Sequence, residues 1–219
     1  MIALLQENME NIFAKLDLRI FLGLGSNFGD REKNLHLALK QIKTLGLDIV
    51  NRSSIYETET VGYLEQNWFL NQVVEVKFGK QINLQLDQTL EKHLASNTPS
   101  HLSLILLSEE LLRAFLEIEN DKGRKRTFQN APRVIDIDLL LFNDLISIKD
   151  ISSLIQTSGK ERLYAGTVLP HPRMHLRRFV LEPLCEIAPD FIHPSMKKSF
   201  AQMLAALDDK SVVRLYRKP

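Results

Sequence analysis

Asp136 and Asp138 stand two residues apart in the segment Pro132 to Phe142, where every other residue from Val134 onward is apolar. Residues two apart on a strand share a face, so a strand here holds both carboxylates side by side and turns Ile135, Ile137 and Leu139 the other way. Like charges placed so repel and lose hydration unless protons or a cation neutralise them. Oxygen ligands from just two carboxylates suit magnesium, which keeps waters and completes its shell with substrate phosphates. An Asp-x-Asp tripeptide alone fits a solvated strand edge equally well, so its neighbours have to decide.

Directly upstream, Arg124, Lys125, Arg126 and Arg133 lie in the loop Gly123 to Arg133 that leads into the aspartates. Phosphoryl transfer is catalysed mainly by alignment and charge stabilisation, for which cations beside a magnesium site are the natural equipment. Arginine adds a planar fork that matches phosphate oxygens. Downstream, His171, Arg173, His175, Arg177 and Arg178 are close enough in sequence to reach the same polyphosphate. A zinc site on His171 and His175 is disfavoured, because Pro172 breaks a shared helical face and no cysteine lies nearby. Taken singly, a basic loop is also ordinary solvated surface.

These side chains need a sheet to hold them. Arg19 to Leu24 reads as a short strand running into Gly23-Leu-Gly-Ser-Asn-Phe-Gly29, whose glycines read as turn formers. Asp30 caps the next helix, with Leu35, Leu39, Ile42 and Leu45 at helical spacing before Gly46 ends it. Ile49 to Glu57 and Phe69 to Phe78 predict neighbouring strands, joined by a connection from Thr58 to Trp68 that is too long for a tight hairpin and so reads as functional. Ser108 is placed as the cap of a second helix, with Glu109 and Glu110 in its first turn and Leu112, Phe115 and Ile118 on its core face. With Val134 to Phe142 as the last strand, the order predicts an α+β fold, a ferredoxin-like βαββαβ sandwich with a C-terminal extension. Residues 79–107 and 145–167 fall outside that plan and read as two insertions. Residues 1–18 read as an N-terminal extension, all within a single domain spanning 1–219.

Composition limits the classes of function. The chain has 219 residues, 44% of them hydrophobic, which supports one full core. Lys plus Arg number 28 against 27 Asp plus Glu, so no global field recruits nucleic acid or an anionic membrane, and basic function must be local. Cys185 has no disulfide partner and reads as a reduced core residue. The apolar run near the start is too short for a signal segment or a span, so the expected location is cytoplasmic.

Four segments, taken in order, resemble the 6-hydroxymethyl-7,8-dihydropterin pyrophosphokinase family of folate biosynthesis. They are Leu22 to Asp30, Ser53 to Gly62 with Phe69-Leu-Asn71, the block Gly123 to Asp138, and Leu169-Pro-His-Pro-Arg173 with Phe179 to Leu184. The resemblance implies magnesium-dependent transfer of pyrophosphate from ATP to 6-hydroxymethyl-7,8-dihydropterin, releasing AMP. It implies a pterin between the rings of Phe69 and Phe179, read by Asn71 and by groups near Thr58 and Val61. Asp136 and Asp138 would hold two magnesium ions, and Arg124 and Arg133 would be catalytic. Glu119, Arg126, His171 and Arg177 would bind ATP. The implied partners are these two small molecules, with no nucleic acid and no membrane, in a monomer or weak dimer.

The chain departs from the pattern at several positions. Glu59-Thr60 stands where many members carry a proline, which frees a backbone that proline would stiffen. Asn130 with Ala131 replaces a frequent tryptophan, and Pro172 replaces a tyrosine. These changes and the insertions leave open a relative that binds pterin or nucleotide and turns it over weakly. A ferredoxin-like sheet that stacks RNA bases is a third reading; the balanced charge and the missing aromatic pair in Phe69 to Phe78 speak against it.

Overall fold

The computed structural model describes residues 18–60, 66–79, 82, 100–121, 132–147 and 168–219. Strand β1 (Ile20–Ser26) leads into helix α1 (Arg31–Thr44), followed by β2 (Leu47–Arg52), β3 (Ile55–Thr58) and β4 (Phe69–Phe78). Helix α2 (His101–Asp121) and strand β5 (Asp136–Phe142) complete the sandwich. A 3-10 turn (Met174–Leu176), helices α3 (Arg178–Ile187) and α4 (Phe200–Ala205), and strand β6 (Val213–Arg217) extend it. The sheet order is β5-β1-β4-β3-β6, with β2 beside the second half of β4, and all pairings are antiparallel. This is the expected ferredoxin-like α+β plan with a C-terminal extension.

The two faces of the sheet have different cover. Leu35, Ala38, Leu39 and Ile42 of α1 and Ile105 to Leu107, Leu111, Phe115 and Ile118 of α2 bury the face carrying Ile20, Leu22, Leu24, Leu70, Val74, Ile137 and Leu139. On the opposite face, α3 and α4 cover only Phe21, Val73, Leu140 and Leu141, through Val180, Leu181, Leu184, Phe200 and Met203. The part of that face around Gly23, Gly25 and Asp138 stays open, and the site lies there.

Local chemistry explains the boundaries. Asp30 accepts the Lys33 N–H at 3.1 Å as the N-cap of α1. Gly46 follows the helix at φ 86°, a backbone region that disfavours a side chain. The expected single strand from Ile49 to Glu57 is split at Ser53 and Ser54. There the Ser53 hydroxyl accepts the Val73 N–H at 3.0 Å in place of a ladder carbonyl, and Glu186 accepts the Ser54 N–H at 2.8 Å.

Helix α2 corrects the placement of its start. Ser108 does not cap it; the Ser108 hydroxyl lies mid-helix, buried, and donates to the Ile105 carbonyl at 2.7 Å. Ser100 takes the capping part, accepting the Ser103 N–H at 3.2 Å. Glu109 and Glu110 are therefore buried in the middle of the helix rather than placed in its first turn. Residues 101–107, expected within the insertion 79–107, belong to the core helix, because Ile105, Leu106 and Leu107 complete the apolar layer over the sheet. Cys185 is half-buried against the second apolar cluster.

Beneath β1 and β4, Glu75 is buried and accepts from Arg19 Nε at 2.5 Å, Arg19 Nη2 at 3.1 Å and Asn51 Nδ2 at 2.9 Å. Burial alone would raise its pKa, but the hydrogen bonds from Arg19 and Asn51 and the charge of Arg19 outweigh it and hold the carboxyl below its usual 4.5. The stability this group contributes is present above that value and is lost as pH falls below it, where the unfolded chain binds the proton more readily. Glu75→Gln is expected to cost about 1–3 kcal/mol at pH 7, measured by urea denaturation, with the difference from wild type shrinking as pH falls below about 4.

Candidate active site

The open half of the second face is a recess of about 260 Å³ lined by residues of β1, β3, β4, β5 and the segment around the 3-10 turn. Its floor follows from strand register. Gly23 lies between Asp138 on β5 and Val73 on β4, and Gly25 between Asp136 and Asn71. Phe69 pairs with Thr58 at the next level. Two carboxylates thus face an amide and an aromatic ring across the two bare glycines of β1, roughly 10 Å apart at two strand spacings.

A methyl group on Gly25 would meet Asn71 Oδ1 at 2.9 Å, so only glycine leaves that floor clear. Gly23 and Gly25 are strand residues, which corrects their reading as turn formers; Gly29, at φ 66°, is the one that forms a turn. Their alternation inside an otherwise apolar run was the signal available in the sequence.

The aspartates are placed as expected, on one face with Ile135, Ile137 and Leu139 in the opposite core. Arg133 Nη1 donates to Asp136 Oδ2 at 2.5 Å, and Arg177 Nη1 stands 4.0 Å from Asp138 Oδ2. Burial in the recess, and then repulsion by Asp136, push the Asp138 carboxyl up to about 6, against the opposing pull of Arg177, Arg133 and Arg173. Burial and the neighbouring carboxylate together outweigh the three arginines at Asp138. Among the described residues no group of three or more His, Cys, Asp or Glu forms that could hold a metal ion. Two carboxylate ligands with space above them fit magnesium, whose remaining positions go to water and phosphate oxygens.

His171, Arg173 and Arg177 form the rim on the same side. Burial first, then the charges of Arg177 and Arg173, push the His171 imidazole down to about 4, so it is neutral at physiological pH. The Arg173 N–H donates to His171 Nδ1 at 3.3 Å, which leaves Nε2 as the ring's donor. Phe179 lines the recess with the Arg177 guanidinium 5.4 Å from its ring centre. Asn71 is buried and its Nδ2 donates to Thr58 Oγ1 at 2.7 Å, which fixes the amide's orientation.

Thr58, Phe69, Asn71, Arg133, Asp136, Asp138, His171, Arg177 and Phe179 are thus brought to one recess. Glu119 is not part of its lining: it is buried on α2, where its Oε1 accepts the Ile137 N–H of β5 at 2.7 Å. Val61, Arg124, Arg126, Asn130 and Ala131 lie outside the described residues, as do the interiors of both insertions. Pro172 is exposed.

Sequence reasoning missed Asn27. It is buried, it donates through Nδ2 to Gln66 Oε1 at 2.8 Å and to the Asn67 carbonyl at 3.3 Å, and its Oδ1 accepts the Arg133 N–H at 2.7 Å. It thereby ties the end of β1 to the approach to β4 and to Arg133. Glu59, another lining residue not foreseen, exchanges hydrogen bonds with Val212 next to β6. The backbone freed by the missing proline is held by those bonds.

A sequence model described as 7,8-dihydro-6-hydroxymethylpterin-pyrophosphokinase (HPPK) matches residues 21–102 and 94–189, well over half of the chain. The chain belongs to the HPPK family. Among its relatives, the 2-amino-4-hydroxy-6-hydroxymethyldihydropteridine pyrophosphokinase of Methylorubrum extorquens is 35% identical over 90% of this chain and 98% of its own length. The protein of the same name from Bacillus subtilis is 37% identical over 76% of each. The folic acid synthesis protein FOL1 of Dictyostelium discoideum is 34% identical over 81% of this chain, which spans only 20% of that longer protein. A crystal structure of an HPPK-DHPS in complex with substrates superposes with a TM-score of 0.53 at 15% identity, over 86% of this chain and 43% of that one, a likeness of fold.

The repulsion between the carboxylates has a measurable consequence. In metal-free protein, Asp138→Asn removes the repulsion with Asp136 and is expected to raise the melting temperature by about 1–3 °C. Magnesium should stabilise the wild type and leave the variant unchanged. A lower melting temperature in the metal-free variant would contradict this account of the pair.

Proposed function

We propose that the chain transfers a pyrophosphoryl group from ATP to 6-hydroxymethyl-7,8-dihydropterin, giving AMP and the pterin pyrophosphate. The observation that carries this reading is the clear glycine floor between the two carboxylates on β5 and the Asn71, Thr58 and Phe69 wall on β3 and β4. A flat bicycle set against that wall points a short hydroxymethyl arm across the glycines toward the acids.

In this reading Phe69 and Phe179 flank the pterin ring, and Asn71, oriented by Thr58, reads its hydrogen-bonding edge. Backbone near Val61 contributes to the same edge. His171, Arg173 and Arg177 hold the triphosphate, His171 as a neutral donor through Nε2. Arg126 belongs to the nucleotide side by resemblance; Glu119, buried outside the recess, would serve that side only through the Ile137 N–H of β5 that it holds. Magnesium, as two ions on Asp136 and Asp138, would supply charge neutralisation for the phosphates and orientation of the hydroxymethyl oxygen.

The chain's own residues bring the hydroxymethyl oxygen into line with the β-phosphorus. A bond forms there as the bond from the β-phosphorus to the oxygen bridging it to the α-phosphorus breaks; that oxygen leaves on AMP with the bonding electron pair, and the hydroxymethyl proton is released to solvent. Arg133, with Arg124, stabilises the charge that develops on the transferred group and the departing oxygen. By resemblance the chain acts as a monomer or weak dimer. No helix among the described residues is long and apolar enough to cross a membrane.

Purified protein given ATP, magnesium and the reduced hydroxymethyl pterin should release AMP in step with pterin pyrophosphate. ADP as the product, or no turnover, would contradict the proposal. Arg133→Ala should lower kcat by about 10²-fold or more while the protein remains folded by circular dichroism.

A further inference from the structure

Behind the recess, on the side of the sheet facing α1, a compact set of charged and aromatic groups joins three distant parts of the chain. Glu57 pairs across the ladder with Leu70, a residue of the helix-side core, so its side chain points away from the recess that the next residue, Thr58, faces. Arg31, the first residue of α1, donates through Nη1 to Glu57 Oε1 at 3.0 Å and to the Trp68 carbonyl at 2.6 Å. Arg214 of β6 places Nε 3.4 Å from Glu57 Oε2 and its guanidinium carbon 4.3 Å from the Trp68 ring centre. One carboxylate thus sits between two arginines, and each arginine also holds Trp68, one by its carbonyl and the other by its ring.

We propose that Glu57, Arg31, Arg214 and Trp68 form a positioning clamp through which the C-terminal strand β6 fixes the two pterin-facing walls. Glu57 immediately precedes Thr58, and Trp68 immediately precedes Phe69. Thr58 and Phe69 face each other across β3 and β4, so a shift in either partner alters the slot between them. A second tie runs in parallel: the Glu59 N–H donates to the Val212 carbonyl at 3.3 Å, and the Val212 N–H donates to Glu59 Oε1 at 2.9 Å. Thr58 itself pairs with Val213 of β6. None of the four clamp residues lines the recess, so they act through Thr58 and Phe69 and touch no reacting atom. This inference rests on the reading of the recess as a pterin site.

The test compares Arg214→Ala, Arg214→Lys and Glu57→Gln with wild type in the full chain. Loss of the clamp should raise the pterin KM roughly five- to twentyfold while kcat and the ATP KM stay within about twofold. Arg214→Lys keeps the charge without the planar stack and should recover part of the loss. Glu57→Gln, nearly isosteric, serves where Arg214→Ala does not fold. Trp68 is the only tryptophan of the chain, so the emission of substrate-free protein should shift in Arg214→Ala, a readout that does not depend on turnover. Calorimetric titration with the pterin should weaken by the same factor as KM rises. Should the wild type bind pterin without releasing AMP, the titration decides the clamp and only the reaction is withdrawn. Unchanged pterin affinity in both Arg214→Ala and Glu57→Gln overturns the clamp, and a wild type that binds no pterin overturns it along with the reading of the recess.

Discussion

The repulsion between Asp136 and Asp138 is the constraint around which the recess is built. Strand geometry forces them onto one face, and the register with β1 sets them beside Gly23 and Gly25, which offer no side chain to pair with them. Arg133 answers Asp136, while Asp138 has Arg177 at 4.0 Å and a pKa raised first by burial and then by Asp136. A doubly charged ion with phosphate oxygens would relieve this arrangement without closing the space the glycines keep open.

The division between the faces of the sheet makes that strain tolerable. One face is packed by α1 and α2, so the backbone under the acids is rigid. The other is only half covered by α3 and α4, whose apolar contacts end at Leu140 and Val73, the residues bordering the recess. The same extension carries Phe179 and Arg177 to the rim, and β6 reaches the far side of the sheet at β3. The C-terminal extension therefore contributes to packing, to the lining and to the edge of the sheet together.

Much of this was legible because period and composition carried it. The alternation Ile135, Asp136, Ile137, Asp138, Leu139 announced a strand with an acidic face, and the Asp30 cap and Gly46 stop bounded α1 correctly. The helix α2 was misplaced because Ser108 and its glutamates imitate a cap, whereas burial of Ile105 to Leu107 by the sheet extends the helix back to Ser100. The break at Ser53 was invisible because hydrogen bonds to side chains create it, the Ser54 N–H donating to distant Glu186 and the Val73 N–H to the Ser53 hydroxyl. Asn27 and the Glu57 set were invisible for the same reason: their partners lie far away in the sequence and only the sheet register brings them together. Gly23 and Gly25 were misassigned because glycine predicts a turn locally, while here it is needed for the space it leaves.

In the proposed reaction the two carboxylates would share a divalent metal with the nucleotide's phosphates. Electron paramagnetic resonance with manganese in place of magnesium tests it most directly, with a non-hydrolysable ATP analogue and the pterin both present. The account predicts bound manganese in the wild type at low micromolar concentration and none above the level of the free analogue in an Asp136→Asn, Asp138→Asn double variant. Equal manganese binding by the two proteins would contradict it.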